Sequence, residues 1–490
     1  MRLSHSAMYA RVLENDASCN GRFFTGVLTT GIYCLPACRA RKPKPQNVRF
    51  FPTCDAARAA GLRPCRKCHP DDFARGADPV LESLEALVAE IRTKPEAFPD
   101  ARAVVRRSGF GATRLFELFR QHYHSTPADL LVRARLAAAR RLLLASDTGL
   151  LELAAAVGFD SQSTFHDQFR RWHGLTPAAY RDLRAARTFT VALPADYPLG
   201  YLRRALSRDA QSVTERLAGD RYECAIRLHE RPALLRLRLG AAAVEVEIVD
   251  DLSSRAPAVS TPPTAVPPGA AAHAIVVGLL GLEQDAAGFA RLARKLGLAR
   301  LVAGRPGLRL AQTHSVFDGL LWSIIGQQIN FSFACTLKRR LIEFTGTTLD
   351  HGLFAPPDAA AIARLEPTDL QPLQFSRQKA DYLIATARLV ASGQLDLEAL
   401  RAMSATRAER TLLAIRGLGP WSVNYLLMRS LGFSDCVPLG DTGVTSGLQA
   451  MLKLETRPDV DATRRLMAVF SPYRSLATAH LWQLDQPIPS

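Results

Sequence analysis

The sequence predicts a multidomain protein, mainly α with smaller α+β parts. Three observations carry that expectation. The chain has 490 residues, enough for three or four domains at roughly 100–200 residues each. Helix-period patterning dominates about residues 79–185 and returns from about 269 to the end, whereas 188–251 alternates apolar and polar residues. The first 78 residues are instead rich in Cys, Arg, Lys and Pro. With 48% hydrophobic and 22% charged residues, wholesale disorder is excluded.

Charge points to the partner. The formal net charge is +16, and it is uneven: residues 1–190 hold 29 Lys+Arg against 18 Asp+Glu, and 191–490 hold 33 against 28. Such an excess of cation favours a polyanion, with nucleic acid first. The longest apolar run, about 270–282, contains His273 and is too short to span a bilayer. The N-terminus lacks the apolar core of a secretory signal. A cytoplasmic protein with reduced thiols is expected, and nine cysteines, an odd number, suit metal ligation better than a disulfide framework.

Cys34-x3-Cys38 and Cys65-x2-Cys68 form two tight pairs. Four thiolates from two turns can surround one tetrahedral Zn²⁺, and on spacing alone a structural zinc is the commoner reading. The neighbours Arg39, Arg41, Lys42, Lys44, Arg63, Arg66 and Lys67 exceed what a structural knuckle needs. They suit a DNA backbone, with Arg41 and Lys67 as candidate contacts. Thr29–Arg41 followed by Arg63–Cys68 closely resembles the N-terminal domain of the Ada adaptive-response family, over about residues 5–78. The resemblance implies zinc on Cys34, Cys38, Cys65 and Cys68, and methyl transfer to Cys34 from a methylphosphotriester in DNA. Cys19 and Cys54 are read as core or surface.

The second region repeats itself. Gly109-Phe110 recurs as Gly158-Phe159, Phe116 as Phe165, and Thr126-Pro127-Ala128 as Thr176-Pro177-Ala178, at offsets of 49 or 50. Each copy reads as a short helix, a glycine turn and an amphipathic helix, the layout of a helix-turn-helix. Leu153–Pro177 resembles the AraC-type transcription-factor signature, over about 82–185. In it Phe165, Phe169 and Leu175 are expected in the core. Ser161, Gln162, Ser163, His166 and Gln168 face bases or phosphates, or form a plain solvated helix face. The first copy offers fewer base-reading side chains and is expected mainly to grip backbone.

Alternation such as Leu235-Arg236-Leu237-Arg238-Leu239 and Val244-Glu245-Val246-Glu247-Ile248 predicts strands. The Pro/Ala/Ser stretch 253–268 predicts a linker. Beyond it, Ile415–Tyr425 carries Gly417 and Gly419 two apart between helical stretches. Such a hairpin can bring backbone amides to a phosphate beside a helix N-terminus, or be an ordinary helix–helix turn. Asp441 follows 22 residues after Gly419.

This stretch resembles the helix-hairpin-helix DNA glycosylases, specifically the AlkA type of 3-methyladenine glycosylase. Gly304–Leu310, Ile324–Ile329 and Tyr473–Trp482 add to the match, which spans about 188–490. It implies Asp441 as the catalytic carboxylate, where the residues alone suggest a helix N-cap. It implies Trp421, Tyr425 and Trp482 as pocket aromatics for a flipped base, where the alternative is core packing. Electron-rich ring faces suit cationic N-alkylated purines. The hairpin has no Schiff-base Lys, so a monofunctional hydrolase is expected. Gln328 stands where the AlkA type carries a Leu wedge. No Pro-Cys-His-Arg acceptor motif occurs, so O6-alkylguanine repair is not expected.

The expected division is therefore 1–78, a zinc methyl-acceptor domain; 79–186, helix-turn-helix; 187–300, a small strand-rich domain; and 301–490, the glycosylase. The expected partners are promoter and alkylated double-stranded DNA, and RNA polymerase; no membrane is expected, and the protein is expected to be a monomer. Two other readings stay open at this point: a transcription factor whose glycosylase half is only a DNA clamp, and a glycosylase whose front domains only localise it.

Overall fold

The computed structural model describes residues 3–38, 40–76, 78–229, 231–250, 266–349, 352–484 and 486. The chain divides into two compact units, Met1–Ala89 and Glu90–Ser490.

In the first unit a helix, His5–Leu13, starts where Ser4 accepts the Ala7 amide. A four-stranded sheet follows in the order Val48–Phe51, Phe24–Val27, Ile32–Cys34, Arg63–Pro64. The first three strands pair antiparallel and the last pair is parallel. Phe24, Tyr33, Leu35, Phe51 and Leu62 make its core. Gly26 is needed there because a Cβ would stand 2.5 Å from both Leu62 and Phe51.

The second unit begins with the expected repeat. Ala101–Ser108 and Ala112–Tyr123 form the first helix-turn-helix, and Leu150–Ala156 and Gln162–His173 the second. The helix Pro127–Ala145 joins them. The repeated Thr-Pro-Ala acquires a cause: Thr126 and Thr176 each cap a helix, accepting the amides of Asp129 and Ala179, with Pro at the first helical position. The expected offset of 49 inside the repeat needs correcting. The second turn is one residue longer, so Leu115 and Phe119, both buried, are the counterparts of Phe165 and Phe169, while Phe116 is exposed.

The alternating segments form one antiparallel sheet in the order Thr188–Ala192, Ala243–Asp250, Arg231–Leu239, Arg221–Leu228, Glu215–Ala218. Leu235, Leu237, Leu239, Val244, Val246 and Ile248 are buried on one face. Arg236 and Arg238 stand on the other, paired with Glu223, Glu247 and Glu245. The apolar run noted above is the helix Pro268–Leu280, which packs on this sheet. Most of the expected 253–268 linker, residues 253–265, lies outside the described residues.

The helix-turn-helix pair grows directly into this layer. Its second core shares Ala270 and packs against Phe189. The Ala192 amide bonds the Gly174 carbonyl at 2.8 Å. The His273 ring Nε2 lies 2.8 Å from the His173 carbonyl. The first copy ends against the helical C-terminal region: His122 Nδ1 is 2.8 Å from Thr406 Oγ1, and the Asp435 amide donates to His124 Nδ1 at 3.2 Å.

That region packs around two apolar cores. One gathers the helices Val316–Ile325, Arg377–Ala391, Ala405–Leu413 and Pro420–Arg429. The other gathers Phe289, Val444, Leu448, Phe470 and Leu481. Trp482 packs against both, so it marks their junction.

Candidate functional sites

The cysteine centre is built by strand pairing. Parallel pairing of Tyr33 with Pro64 sets Cys34 beside Cys65, and tight turns then return Cys38 and Cys68. All four sulfurs lie within 4.8 Å of one another. The Leu35 and Lys67 amides donate to the sulfurs of Cys68 and Cys65 at 3.3 and 3.4 Å. Close contact with Cys38 and Cys68, reinforced by burial, raises the Cys34 thiol above its ordinary range. Four thiolates cannot share so small a space without a cation, and this donor set fits tetrahedral Zn²⁺. Cys34, Cys38 and Cys65 are buried and Cys68 half-buried. Lys42 Nζ donates to the Cys38 carbonyl at 2.8 Å. Arg41, Lys44, Arg63, Arg66 and Lys67, each within six positions of one of the four cysteines in the chain, are exposed. Arg39 is outside the described residues.

On the second recognition helix, Phe165 and Phe169 are fully buried and Leu175 is buried beside them. Ser161 serves as N-cap, its Oγ accepting the Thr164 amide at 3.1 Å. Gln162 and Ser163 are exposed in the first turn, while His166 and Gln168 are half-exposed. The helix end that would enter a groove is thus polar and open.

The third site surrounds Asp441. Its carboxylate caps the helix Thr442–Leu452: Oδ1 accepts the Val444 amide at 3.0 Å. Oδ1 also accepts Trp482 Nε1 at 2.9 Å, and Oδ2 accepts Trp421 Nε1 at 3.2 Å. The cap and the site therefore coincide in one side chain. All three donors are neutral, and among the described residues no ion pair involves Asp441. Its negative charge is held in place without being cancelled. The Trp421 and Tyr425 rings stack at 5.3 Å, and Tyr425 lies 6.3 Å from Trp482. All three are half-buried, with ring surface left for a ligand.

The hairpin lies between Ala405–Leu413 and Pro420–Arg429. Gly417 has φ +95°, and a Cβ there would stand 2.4 Å from the Tyr382 ring, so only glycine fits. Gly419 is the N-cap residue, with open space around it. Gln328 is exposed on the turn after Val316–Ile325 and takes φ +56°, a strained conformation for a non-glycine residue. That turn is tied to the hairpin by its neighbour: Gln327 Nε2 donates to the Gly417 carbonyl at 2.8 Å and to Ser422 Oγ at 2.9 Å.

Four contributors escaped sequence reasoning. Trp322 Nε1 donates to the Tyr425 hydroxyl at 3.1 Å. Phe331 meets Trp322 edge-on at 5.7 Å, and the Arg208 guanidinium lies over Phe331 at 3.9 Å. Gln327 is the fourth. Trp322 and Gln327 flank or belong to the Ile324–Ile329 segment already singled out, which was a usable signal. Arg208 sits in no motif.

Three family profiles match the chain: the metal-binding domain of Ada at residues 7–71, a helix-turn-helix domain at 104–183, and the HhH-GPD superfamily of base excision DNA repair proteins at 321–472. A DNA-3-methyladenine glycosylase of Bacillus subtilis is 34% identical over 209 residues, 41% of this chain and 68% of that protein. A Mycobacterium tuberculosis protein described as a probable bifunctional transcriptional activator/DNA repair enzyme AlkA is 28% identical over 505 residues, 98% of this chain and 96% of that one. The Bacillus subtilis bifunctional transcriptional activator/DNA repair enzyme AdaA is 27% identical over 35% of this chain and 80% of its own length.

Proposed function

The chain belongs to the family of DNA-3-methyladenine glycosylases, and from this premise we propose that it is a bifunctional DNA alkylation repair protein and transcriptional regulator. Its C-terminal region hydrolyses the N-glycosidic bond of N-alkylated bases such as 3-methyladenine. The observation that carries this is the Asp441 carboxylate, fixed by two indole N–H groups and, among the described residues, in no ion pair. A base swung out of the stack lies on the Trp421, Tyr425 and Trp482 rings. Gln328 enters the vacated space, while the Gly417–Gly419 hairpin grips the backbone. As the bond to the alkylated base breaks, positive charge grows on the sugar, and Asp441 stabilises it or positions the attacking water. The alkylated base leaves readily, so one well-placed carboxylate is catalyst enough.

The N-terminal region accepts a methyl group on Cys34. Zinc, when held by Cys34, Cys38, Cys65 and Cys68, keeps sulfur in the thiolate form at neutral pH. Cys34 Sγ attacks the methyl carbon of a methylphosphotriester; the S–C bond forms, the C–O bond breaks, and a phosphodiester anion departs. Arg41 and Lys67 hold that DNA backbone. The lost thiolate charge then strengthens DNA binding, and Ser161, Gln162, Ser163 and His166 read a promoter so that RNA polymerase is recruited. The division of labour follows residues 1–78, 79–186, 187–300 and 301–490, in a monomer working in the cytoplasm.

Duplex DNA treated with a methylating agent tests both activities in one tube. Base release abolished by Asp441→Asn and label transfer abolished by Cys34→Ala are expected. Base release untouched by Asp441→Asn, or transfer surviving Cys34→Ala, would overturn the corresponding half.

A further inference from the structure

The base site contains a cation that the reading above does not use. Arg208 follows the helix Leu199–Leu206 of the strand-rich segment, yet its guanidinium reaches across to lie 3.9 Å over the Phe331 ring. Phe331 leans edge-on against Trp322, whose indole donates to the Tyr425 hydroxyl. Tyr425 in turn stacks on Trp421, the ring that donates to Asp441. Arg208 therefore extends the chain of rings that begins at Asp441. The groups within electrostatic reach of its charge include Tyr425, Arg429, Cys335 and Asp441. Arg208 and Arg429 are positive, as is Lys338, whose Nζ lies 6.0 Å over the Trp322 ring and pairs with Asp318.

Ring faces attract any cation, a charged alkylated purine included. A guanidinium already stationed at the end of the ring cluster opposes that attraction: Arg208 is itself exposed, and two positive charges several Å apart near a protein surface, at an effective dielectric of about 20, still repel by about 1 kcal/mol or more, on the order of tenfold in a rate. The same guanidinium favours a neutral base, since its N–H groups can donate to a ring nitrogen or an exocyclic oxygen. We propose that Arg208 is a specificity-determining residue of the base site, which shifts the range of excised bases from positively charged purines towards neutral ones.

The proposal rests on the base-excision reading, and one experiment separates their failures. Single-turnover base release is measured on duplexes carrying 7-methylguanine, whose base is charged, and hypoxanthine, whose base is neutral. Wild type, Arg208→Gln and Arg208→Lys are compared, with thermal unfolding of each variant. Arg208→Gln is expected to raise the charged-to-neutral rate ratio about tenfold, the order expected for one unit charge removed at this range. Arg208→Lys, which keeps the charge, is expected to hold the ratio near the wild-type value. A ratio unchanged in Arg208→Gln, a Lys variant that behaves like the Gln variant, or wild-type release of the charged base alone would overturn the proposal and leave the glycosylase reading intact. A wild type that releases neither base would overturn both.

Discussion

Replacing Asp441 probes the site's chemistry and its architecture separately. Asn keeps one side-chain oxygen, and Asn caps helices about as well as Asp. The Val444 amide and one indole N–H can therefore keep an acceptor, while the other indole faces an NH₂ group. The stability cost should be about 1 kcal/mol, the worth of one hydrogen bond. Ala removes the cap, about 1 kcal/mol, and leaves both indole N–H groups without a partner, about 1 kcal/mol or more each. Asp441→Ala should therefore cost about 3 kcal/mol, several times the Asn variant. Activity should not follow that order. Both substitutions delete the charge, so both should slow base release by about 10²–10³-fold, the loss seen when one preorganised electrostatic group is removed. Single-turnover release from a 7-methylguanine duplex gives the rate, and urea unfolding gives the stability. An Asp441→Asn protein that keeps more than about a tenth of the wild-type rate would refute Asp441 as the charge carrier. An Asn variant as unstable as the Ala variant would refute the account of the cap.

Other tests address the surrounding structure. Gly417→Ala places a Cβ 2.4 Å from Tyr382 at φ +95°, and should cost about 2 kcal/mol in unfolding and weaken DNA binding. Gly419→Ala meets open space and should leave unfolding within about 0.5 kcal/mol of wild type, so any loss of affinity there reports the close approach of a phosphate. Chelation, or Cys65→Ser, should abolish methyl transfer while base release stays within about twofold, read by labelling and by single turnover on one preparation. Burial depresses His273 to about 4 and His480 to about 3, below the ordinary 6.5. The unfolded chain therefore binds more protons than the folded one across that interval. Stability is complete above pH 6.5 and should fall as the pH drops towards 4, by about 3 kcal/mol for each histidine. His273→Gln should flatten the urea-unfolding profile over that range, and a profile as steep as wild type would count against the assignment.

Much of the fold is legible in local spacing. Period-two alternation marks the Leu235–Leu239 strand, and Thr-Pro-Ala marks two helix starts because capping chemistry acts within three residues. Asp441 is legible from its neighbours as a helix cap, which it is. What escapes is anything made by distant segments meeting. The Tyr33–Pro64 pairing that assembles the cysteine centre leaves no periodic trace, because its ladder is only two residue pairs long. Arg208 and Phe331 are 123 positions apart in the chain, and nothing around Arg208 distinguishes it from other surface arginines. The Phe116 alignment failed for a simpler reason: the second turn has one residue more, and an offset carried across it from Gly109 lands one residue, about 100° around the helix, away from the true counterpart.

The join between the second helix-turn-helix and the sheet bears on how the protein is made. His173, Gly174 and Tyr180 are finished only by residues that come later in synthesis, Ala192 and His273, and the core around them takes in Ala270 and Phe189. A nascent chain that has emerged only as far as residue 186 holds every residue of the second regulator helix pair and still lacks one wall of its core. Domains ordinarily fold in sequence as the ribosome releases them. Here the later copy must wait for the start of the sheet that follows it, so an interrupted translation product should not leave a finished helix-turn-helix fragment behind.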